Sequence, residues 1–278
     1  SNLYTDPGSD PVGHVIAFLG AKGGVGSSTL CHNVAWTVSR MLQTNVVITD
    51  LDLPFGTAGL DFNQDPVQGI ADALSSPERL DEVLLDRLLA KCTDHLSLFA
   101  APGVLDRNYD IDPAAFEHVL DIVRNNVPYV ALDVPHIWTT WARQVVLGAD
   151  QVVITAAPDL ANLRNAKNIV DLLKQQRKND KPPHLVLNMV GMPKRPEIPV
   201  KEFADALELK PQAVIEYDAE TFGLAANNGQ MVEELNSKAK AAQGFRDIAF
   251  ALTHRKEAKI EKKKSSFAPL LEKLKLKR

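Results

Sequence analysis

The sequence predicts an α/β fold: a mostly parallel, twisted sheet of about seven strands with helices on both faces. Nearly continuous apolar runs, such as VVIT, YVALD and QVVIT, favour strands covered on both faces, because alternation is lost when neither face meets water. Segments long enough for crossover helices separate these runs, which is typical of an open parallel sheet. Ligands of such sheets bind at the carboxyl ends of the strands, where a glycine-rich loop follows the first run.

The strands and helices follow from these runs in chain order. We predict strands at residues 14–20, 45–51, 96–100, 129–133, 151–155, 184–189 and 213–216. The longer intervening segments predict helices at 27–42, 113–126, 160–176 and 232–253. The charged segment 67–90, which contains a proline, is predicted to be a helical excursion before the third strand.

Composition excludes several classes of protein. The chain has 278 residues, of which 45% are hydrophobic and 24% are charged, as in ordinary globular domains. Its longest apolar runs fall short of the ~20 residues that a membrane-spanning helix needs. Cys31 and Cys92 lack a CxxC spacing, so they predict no disulfide framework and suit a reducing cytoplasm. A chain that opens without methionine suggests prior processing.

Charge divides the chain into an acidic body and a basic tail. Residues 255–278 carry ten Lys or Arg and three Glu, a net charge of +7, whereas the remainder carries 21 basic and 32 acidic residues, a net charge of −11. The acidic body argues against a surface that coats DNA, so we expect no specific nucleic-acid partner. We predict an unstructured lead-in at 1–12, one globular domain at 13–254 and a basic amphipathic tail at 255–278.

The segment FLGAKGGVGSSTL at residues 18–30 predicts a phosphate-binding loop. Its glycines let successive backbone N–H groups point at one anion, and the next helix adds its positive N-terminal dipole. The general nucleoside-triphosphatase pattern has Gly, four residues, Gly, Lys and then Ser or Thr. Here Ala21 stands at the first glycine and Ser27 stands at the lysine, while Lys22 precedes the glycines. This pattern predicts phosphate binding with weak catalysis.

Carboxylates follow two of the predicted strands. Asp50 and Asp52 end the second run in VVITDLDLPFG, and Asp133 ends the fourth in YVALDVPH. Carboxylates at strand ends hold Mg²⁺ or orient the attacking water in phosphate sites of this architecture. Because Asp52 and Asp133 come after the glycine loop in the expected order, the functional interpretation outweighs that of simple turn or cap residues.

These motifs resemble a known family. The order KGGVGSST, VVITDLDLPFG, YVALDVPH and then a strand ending in Asn188 is similar to the deviant Walker A family of P-loop ATPases that includes MinD and ParA. Within it, DLDLPFG and the altered loop are most similar to the CpaE/TadZ pilus-assembly localisation proteins. The resemblance covers roughly residues 12–253 and implies a three-layer P-loop NTPase fold.

The resemblance also implies residue roles at a site for ATP and Mg²⁺. Lys22 matches the signature lysine that reaches across a homodimer to the partner's nucleotide, and Asp52 matches the carboxylate near the attacking water. Ser28 and Asp133 match the Mg²⁺ ligands, and Asn188 matches the residue that contacts adenine. The residues matched to the nucleotide-binding loop are Lys22, Gly23, Gly24, Val25, Gly26, Ser27, Ser28 and Thr29. A proline that relatives carry near 216–218 is absent.

The sequence thus favours a nucleotide-gated, dimeric positioning protein of pilus assembly, with weak or absent ATP hydrolysis. Its expected partners are a second copy and pilus or secretion assembly proteins, and its expected location is cytoplasmic or peripheral at the inner membrane or a cell pole. One alternative is a partitioning or division-site ATPase of the ParA/MinD type, which would hydrolyse ATP. The other is a degenerate scaffold that binds no nucleotide.

The remaining features leave alternatives or predict structural roles. The tail has apolar residues at helical spacing between lysine clusters, which suits an anionic membrane surface or an acidic partner groove; a solvated tail is the alternative. We expect His32 and His136 to be structural. Trp138 and Trp141, placed on a helix after the fourth strand, are expected to pack or to lie at a dimer surface. The two cysteines are poorly placed for an iron–sulfur cluster.

Overall fold

The computed structural model describes residues 12–106 and 108–253, and these contain one eight-stranded sheet. The strands are β1 His14–Gly20, β2 Val46–Asp50, β3 Ala90–Lys91, β4 Leu96–Phe99, β5 Tyr129–Asp133, β6 Gln151–Ala156, β7 His184–Val190 and β8 Pro211–Glu216. Their order across the sheet is β3-β4-β2-β5-β1-β6-β7-β8. Neighbouring strands are parallel except for β3 and β4. The predicted α/β class is confirmed.

The α-helices of the described residues surround this sheet. They are α1 Ser27–Leu42, α2 Ala58–Asp61, α3 Ile70–Ser75, α4 Glu82–Leu88, α5 Pro113–Asn126, α6 Thr140–Gly148, α7 Leu160–Gln176, α8 Val200–Leu207, α9 Ala219–Asn228, α10 Val232–Leu235 and α11 Lys240–Thr253. A 3₁₀ turn, Pro77–Arg79, lies between α3 and α4. None of these helices is long and apolar enough to cross a bilayer.

Three predictions about secondary structure need correction. The segment 67–90 is not one helical excursion: it holds α3, the 3₁₀ turn and α4, because Pro77 begins a new turn, and the chain then enters the unpredicted edge strand β3. The predicted helix 232–253 divides into α10 and α11, where the Asn236 side chain accepts the backbone N–H of Lys238 at 3.0 Å. Trp138 lies in the loop before α6 and not on that helix.

Two apolar cores, one on each face, hold the sheet in place. In β1, Val15, Ala17 and Leu19 belong to the core covered by α5, α6, α7 and α8. Ile16 and Phe18 belong to the opposite core, where α1 and α11 pack. Burying a Val, Leu, Ile or Phe side chain contributes about 1.5–3 kcal/mol to stability. The strand is therefore fixed from both faces of the sheet, which defines the position of Gly20, where the strand ends.

The strand order brings three loops to one edge of the sheet. β5 lies between β1 and β2, and Asp133 of β5 is in register with Phe18 of β1 and with Asp50 of β2. Because these strands are parallel, the segments that follow them leave the sheet side by side. The predicted glycine loop and the predicted carboxylates therefore converge. The predicted lead-in, apart from Val12, and the predicted tail lie outside the described residues.

Candidate functional site

The loop between β1 and α1 has the backbone of an anion cradle. Gly24 and Gly26 have φ angles of 78° and 85°, in the left-handed region that disfavours other residues. A Cβ atom on Gly26 would lie only 2.6 Å from Nδ2 of Asn188. Gly26 also precedes α1 without a side-chain cap, so the N–H groups of the helix's first turn are left for another acceptor.

Side chains from distant elements anchor this loop. Asn188, two residues before the end of β7, donates from Nδ2 to the Val25 carbonyl at 2.8 Å. Asn165 of α7 donates to the Ala21 carbonyl at 2.8 Å, and the Ala21 N–H donates to the Thr155 carbonyl at 2.8 Å. Ala21 is not among the residues with positive φ. It therefore replaces the first glycine of the general pattern without backbone strain.

Ser27 provides a test of whether this loop suits a triphosphate. Its hydroxyl is buried and has no hydrogen-bond partner among the described residues, and the uncapped first turn of α1 begins at the same residue. A buried polar group without a partner costs about 1–3 kcal/mol. A phosphate oxygen is an acceptor that would satisfy both the Ser27 hydroxyl and the N–H groups of the first turn of α1. The residues present thus fit a phosphate group.

A cavity of about 460 Å³ opens over the loop. Its lining includes every loop residue predicted to bind nucleotide, from Lys22 to Thr29, together with Asp52 and His136. A second pocket of about 130 Å³ shares Gly26, Thr29 and Met189 with the first and is lined by Asn188, Glu216, Tyr217, Asp218, Ala219 and Phe222. The two spaces adjoin one another, as a phosphate chain and an attached base would require.

Ser28, which lines the main cavity, is hydrogen-bonded to Asp133 of β5. The Ser28 hydroxyl donates to Oδ1 of Asp133 at 3.0 Å, and Asp133 is 3% exposed. A hydroxyl and a carboxylate together are the hard oxygen ligands that Mg²⁺ takes when it also binds phosphates. The structure thus brings together the two residues matched to the metal.

Asp50 and Asp52 have different environments. Asp52 is half-buried, lines the main cavity, and accepts the Phe55 N–H at 3.3 Å; burial raises the pKa of its carboxyl. Asp50 is fully buried, and its carboxylate accepts the backbone N–H groups of Asp52 and Ala58 at 3.1 and 3.2 Å. Burial and the nearby Asp133 raise the pKa of Asp50. Asp50 therefore shapes the turn that presents Asp52.

Gly56 completes this turn, because a side chain there would overlap the Asp50 carboxylate. The Gly56 N–H closes the turn by donating to the Asp52 carbonyl at 2.6 Å. The DLDLPFG segment is therefore constrained by packing around a buried acid.

His32 is the site residue that sequence reasoning placed in a purely structural role. It lies one helical turn after Ser28 in α1 and is fully buried. Nε2 is 2.9 Å from Oδ2 of Asp133, and Nδ1 is 2.6 Å from Oδ2 of Asp61. Burial lowers the pKa of His32, but the bonds to two carboxylates outweigh it and raise the pKa to about 10. The four-residue spacing from Ser28 was the available signal.

Lys22 and His136 lie at the rim of the main cavity. The Lys22 side chain is exposed there, so it is accessible to a second subunit. His136 is also exposed, and its Nδ1 is 3.1 Å from the Gly20 carbonyl at the end of β1. Trp138 is 53% exposed nearby, whereas Trp141 is buried in the core.

Comparison with known proteins places this fold and loop in a family. A family model described as an AAA domain matches residues 13–185. The septum site-determining protein MinD of Bacillus subtilis (strain 168) is 25% identical over 257 residues, covering 86% of this chain and 88% of that protein. A ParA family ATPase from Chlorobium tepidum TLS has a TM-score of 0.75 at 23% identity, covering 86% of this chain and 98% of that one.

A third comparison concerns the ligand. A structure of the septum site-determining protein MinD from Pyrococcus horikoshii OT3, complexed with Mg-ADP, has a TM-score of 0.69 at 19% identity. It covers 86% of this chain and 95% of that one.

These similarities confirm the predicted fold and support the MinD/ParA part of the resemblance. They do not extend to the pilus-assembly branch, and the similarity to MinD favours the predicted alternative of a division or partitioning ATPase.

Proposed function

The chain belongs to the AAA_31 family of AAA domains, and on that premise we propose that it is an ATP-binding, dimeric positioning protein of the MinD/ParA type. The observation that carries the proposal is the uncapped glycine cradle beside the bonded pair Ser28 and Asp133. A cradle of backbone N–H groups next to hard oxygen ligands is suited to a nucleoside triphosphate with its metal. The adjoining pocket at Asn188 provides space for the base.

Most of the predicted site residues have a role in this proposal. The backbone from Gly23 to Ser27 holds the phosphates, and Ser28 and Asp133 hold Mg²⁺, which when bound neutralises charge that develops on the phosphates. Asp52 lines the same cavity and orients water there. The exposed Lys22 extends towards the phosphates of a second copy, so the complete site forms only in the dimer.

We expect turnover to be slow because the loop lacks its usual cation. A positioned lysine stabilises charge in both the bound state and the transition state, and removing such a donor costs about two to three decades in rate. Ser27 offers only a hydroxyl and a backbone N–H. ATP would therefore control dimer formation more than it would supply energy for repeated cycles.

The relatives named MinD make a division- or partition-type positioning role the first candidate. Pilus-assembly positioning is the second candidate, and the constrained DLDLPFG turn and the Ser27 substitution favour it, since these features carry that resemblance. Partition-type activity predicts measurable turnover and salt-sensitive DNA binding. Pilus-type activity predicts neither, and its partners would be assembly proteins.

A substitution at Ser27 tests the proposal. Ser27→Lys restores the lysine of the general pattern and should raise ATP affinity or turnover by at least tenfold, whereas the matched control Ser27→Ala should do neither. Calorimetry with ATP, with and without Mg²⁺, measures affinity, and sedimentation measures the dimer. If wild-type protein binds no nucleotide and Ser27→Lys changes nothing, the chain is a scaffold and the proposal is wrong.

The location of the protein is a separate part of the proposal. We expect a cytoplasmic protein that attaches peripherally to an anionic membrane through residues 255–278, whose net charge is +7. Each basic residue near such a surface contributes about 1 kcal/mol. Co-sedimentation with vesicles containing anionic lipid, before and after deletion of 255–278, measures this; equal binding by both forms would refute membrane attachment through the tail.

A further inference from the structure

His32 connects two parts of the molecule that the proposed function leaves separate. Its ring is fully buried and lies between the carboxylates of Asp133 and Asp61, each within hydrogen-bond distance of one ring nitrogen. Asp133 ends β5 in the nucleotide site, whereas Asp61 is the last residue of α2. The ring of Phe62, the next residue, packs 5.8 Å from the imidazole between centroids.

This arrangement fixes both oxygens of the proposed metal ligand. Oδ1 of Asp133 accepts from Ser28, and Oδ2 is bonded to His32. Ser28 and His32 are four residues apart, so one face of α1 holds the whole carboxylate. Residues that hydrogen-bond to a metal ligand set the orientation of that ligand. Replacing such residues commonly lowers metal affinity 10–100-fold.

The segment around Asp61 includes residues that are exposed at the protein surface. Helix α2 follows the turn that carries Asp52, and Leu60, beside Asp61, is 72% exposed. Phe55, in the intervening turn, is 71% exposed. Leu60 is thus an exposed apolar residue next in sequence to Asp61, whose carboxylate contacts the buried His32. A change in the distance between Asp61 and His32 would therefore move an exposed apolar side chain.

We propose that His32 is a positioning residue that orients Asp133 for Mg²⁺ and couples metal occupancy to the segment 57–62. The inference rests on the proposed function. Asp133 would share its negative charge with a bound Mg²⁺, so the His32 ring would be held relatively more by Asp61 and α2 would be held more firmly. Coupling is reciprocal, so firm docking of α2 raises metal affinity by the same factor.

A purely structural role for His32 makes a different prediction. A buried ion pair is weak evidence for stability, since apolar replacements of similar volume are often tolerated. If His32 served packing alone, replacing it would alter the free energy of unfolding and leave the effect of Mg²⁺ on nucleotide binding unchanged. Magnesium dependence therefore distinguishes the two roles, and stability does not.

The first experiment measures nucleotide affinity with and without Mg²⁺ by calorimetry. The magnesium enhancement, which is the ratio of the two dissociation constants for ADP, should fall at least tenfold in His32→Gln. The matched control is His118→Gln, an exposed histidine on α5, which should keep the wild-type ratio. A folded His32→Gln protein with the wild-type ratio would overturn the proposal.

The second experiment measures hydrogen exchange across 57–62 by mass spectrometry. Addition of Mg-ADP should slow exchange in the wild type and should not slow it in His32→Gln or in Asp61→Asn, which removes the charge at the α2 end. If His32→Gln does not fold, Asp61→Asn decides alone: full magnesium-dependent protection in that variant contradicts the coupling. Wild-type protein that binds no nucleotide overturns the proposed function together with this inference, whereas an unaltered ratio in the variant overturns this inference only.

Discussion

Gly26→Ala tests the cradle geometry with a magnitude that the structure supplies. An alanine held at the φ of 85° found there costs about 1–2 kcal/mol. Its Cβ would also lie 2.6 Å from Nδ2 of Asn188, which must move and so lose its bond to the Val25 carbonyl. Losing a buried hydrogen bond of this kind costs about 1–3 kcal/mol. The free energy of unfolding should therefore fall by about 2–5 kcal/mol.

Urea unfolding followed by circular dichroism measures this change, with Gly223→Ala as the matched control. Gly223 is exposed inside α9, and a Cβ there meets nothing within 4 Å, so alanine should stabilise the protein by about 0.5–1 kcal/mol. Because the same contact anchors the loop, calorimetry should also show loss of ATP binding in Gly26→Ala alone. Wild-type stability and ATP affinity in Gly26→Ala would refute the reasoning.

Three further predictions concern the scaffold. Asp112→Ala removes the cap that accepts an N–H of α5 at 3.0 Å and should cost about 0.5–2 kcal/mol in urea unfolding, whereas exposed Glu117→Ala should change little. Phe245→Ala empties a site that is 1% exposed and should cost about 3–5 kcal/mol; a loss below 1 kcal/mol would contradict the packing. Partial burial favours a higher pKa for Asp159, but hydrogen bonds from Asn162 outweigh it and lower the pKa. The resulting stabilisation should be present above about pH 4 and lost as pH falls through the folded pKa, so the stability curves of wild type and Asp159→Asn should converge there.

Local patterns predicted the elements that form the cradle. The predicted bounds of the first strand, the first helix and the fourth predicted strand agree with β1, α1 and β5. Each is a continuous apolar run or helical stretch with a clear boundary, so neighbouring residues hold enough information. The end of β5 lies beside the loop because parallel strands bring their carboxyl ends together, and there Oδ1 of Asp133 accepts from Ser28; the metal role of both residues, which the resemblance implies, stays a prediction.

Contacts between distant residues explain what sequence missed. His32 gains its role from Asp61 and Asp133, which lie 29 and 101 positions away, and its four-residue spacing from Ser28 identifies neither partner. The sequence singled out Asp52 and assigned no role to Asp50; because β2 ends at Asp50, Asp50 is held inside the turn and Asp52 lines the cavity. The edge strand β3 has only two residues, too few for alternation to be visible.

Calorimetric titration of the wild-type protein with ATP in the presence of Mg²⁺ tests the central claim, which is that a loop without its lysine still holds a triphosphate through backbone N–H groups. We predict saturable binding of one ATP per chain that weakens when Mg²⁺ is removed and disappears in Gly26→Ala. A titration without heat, or binding that Gly26→Ala leaves intact, would contradict the account.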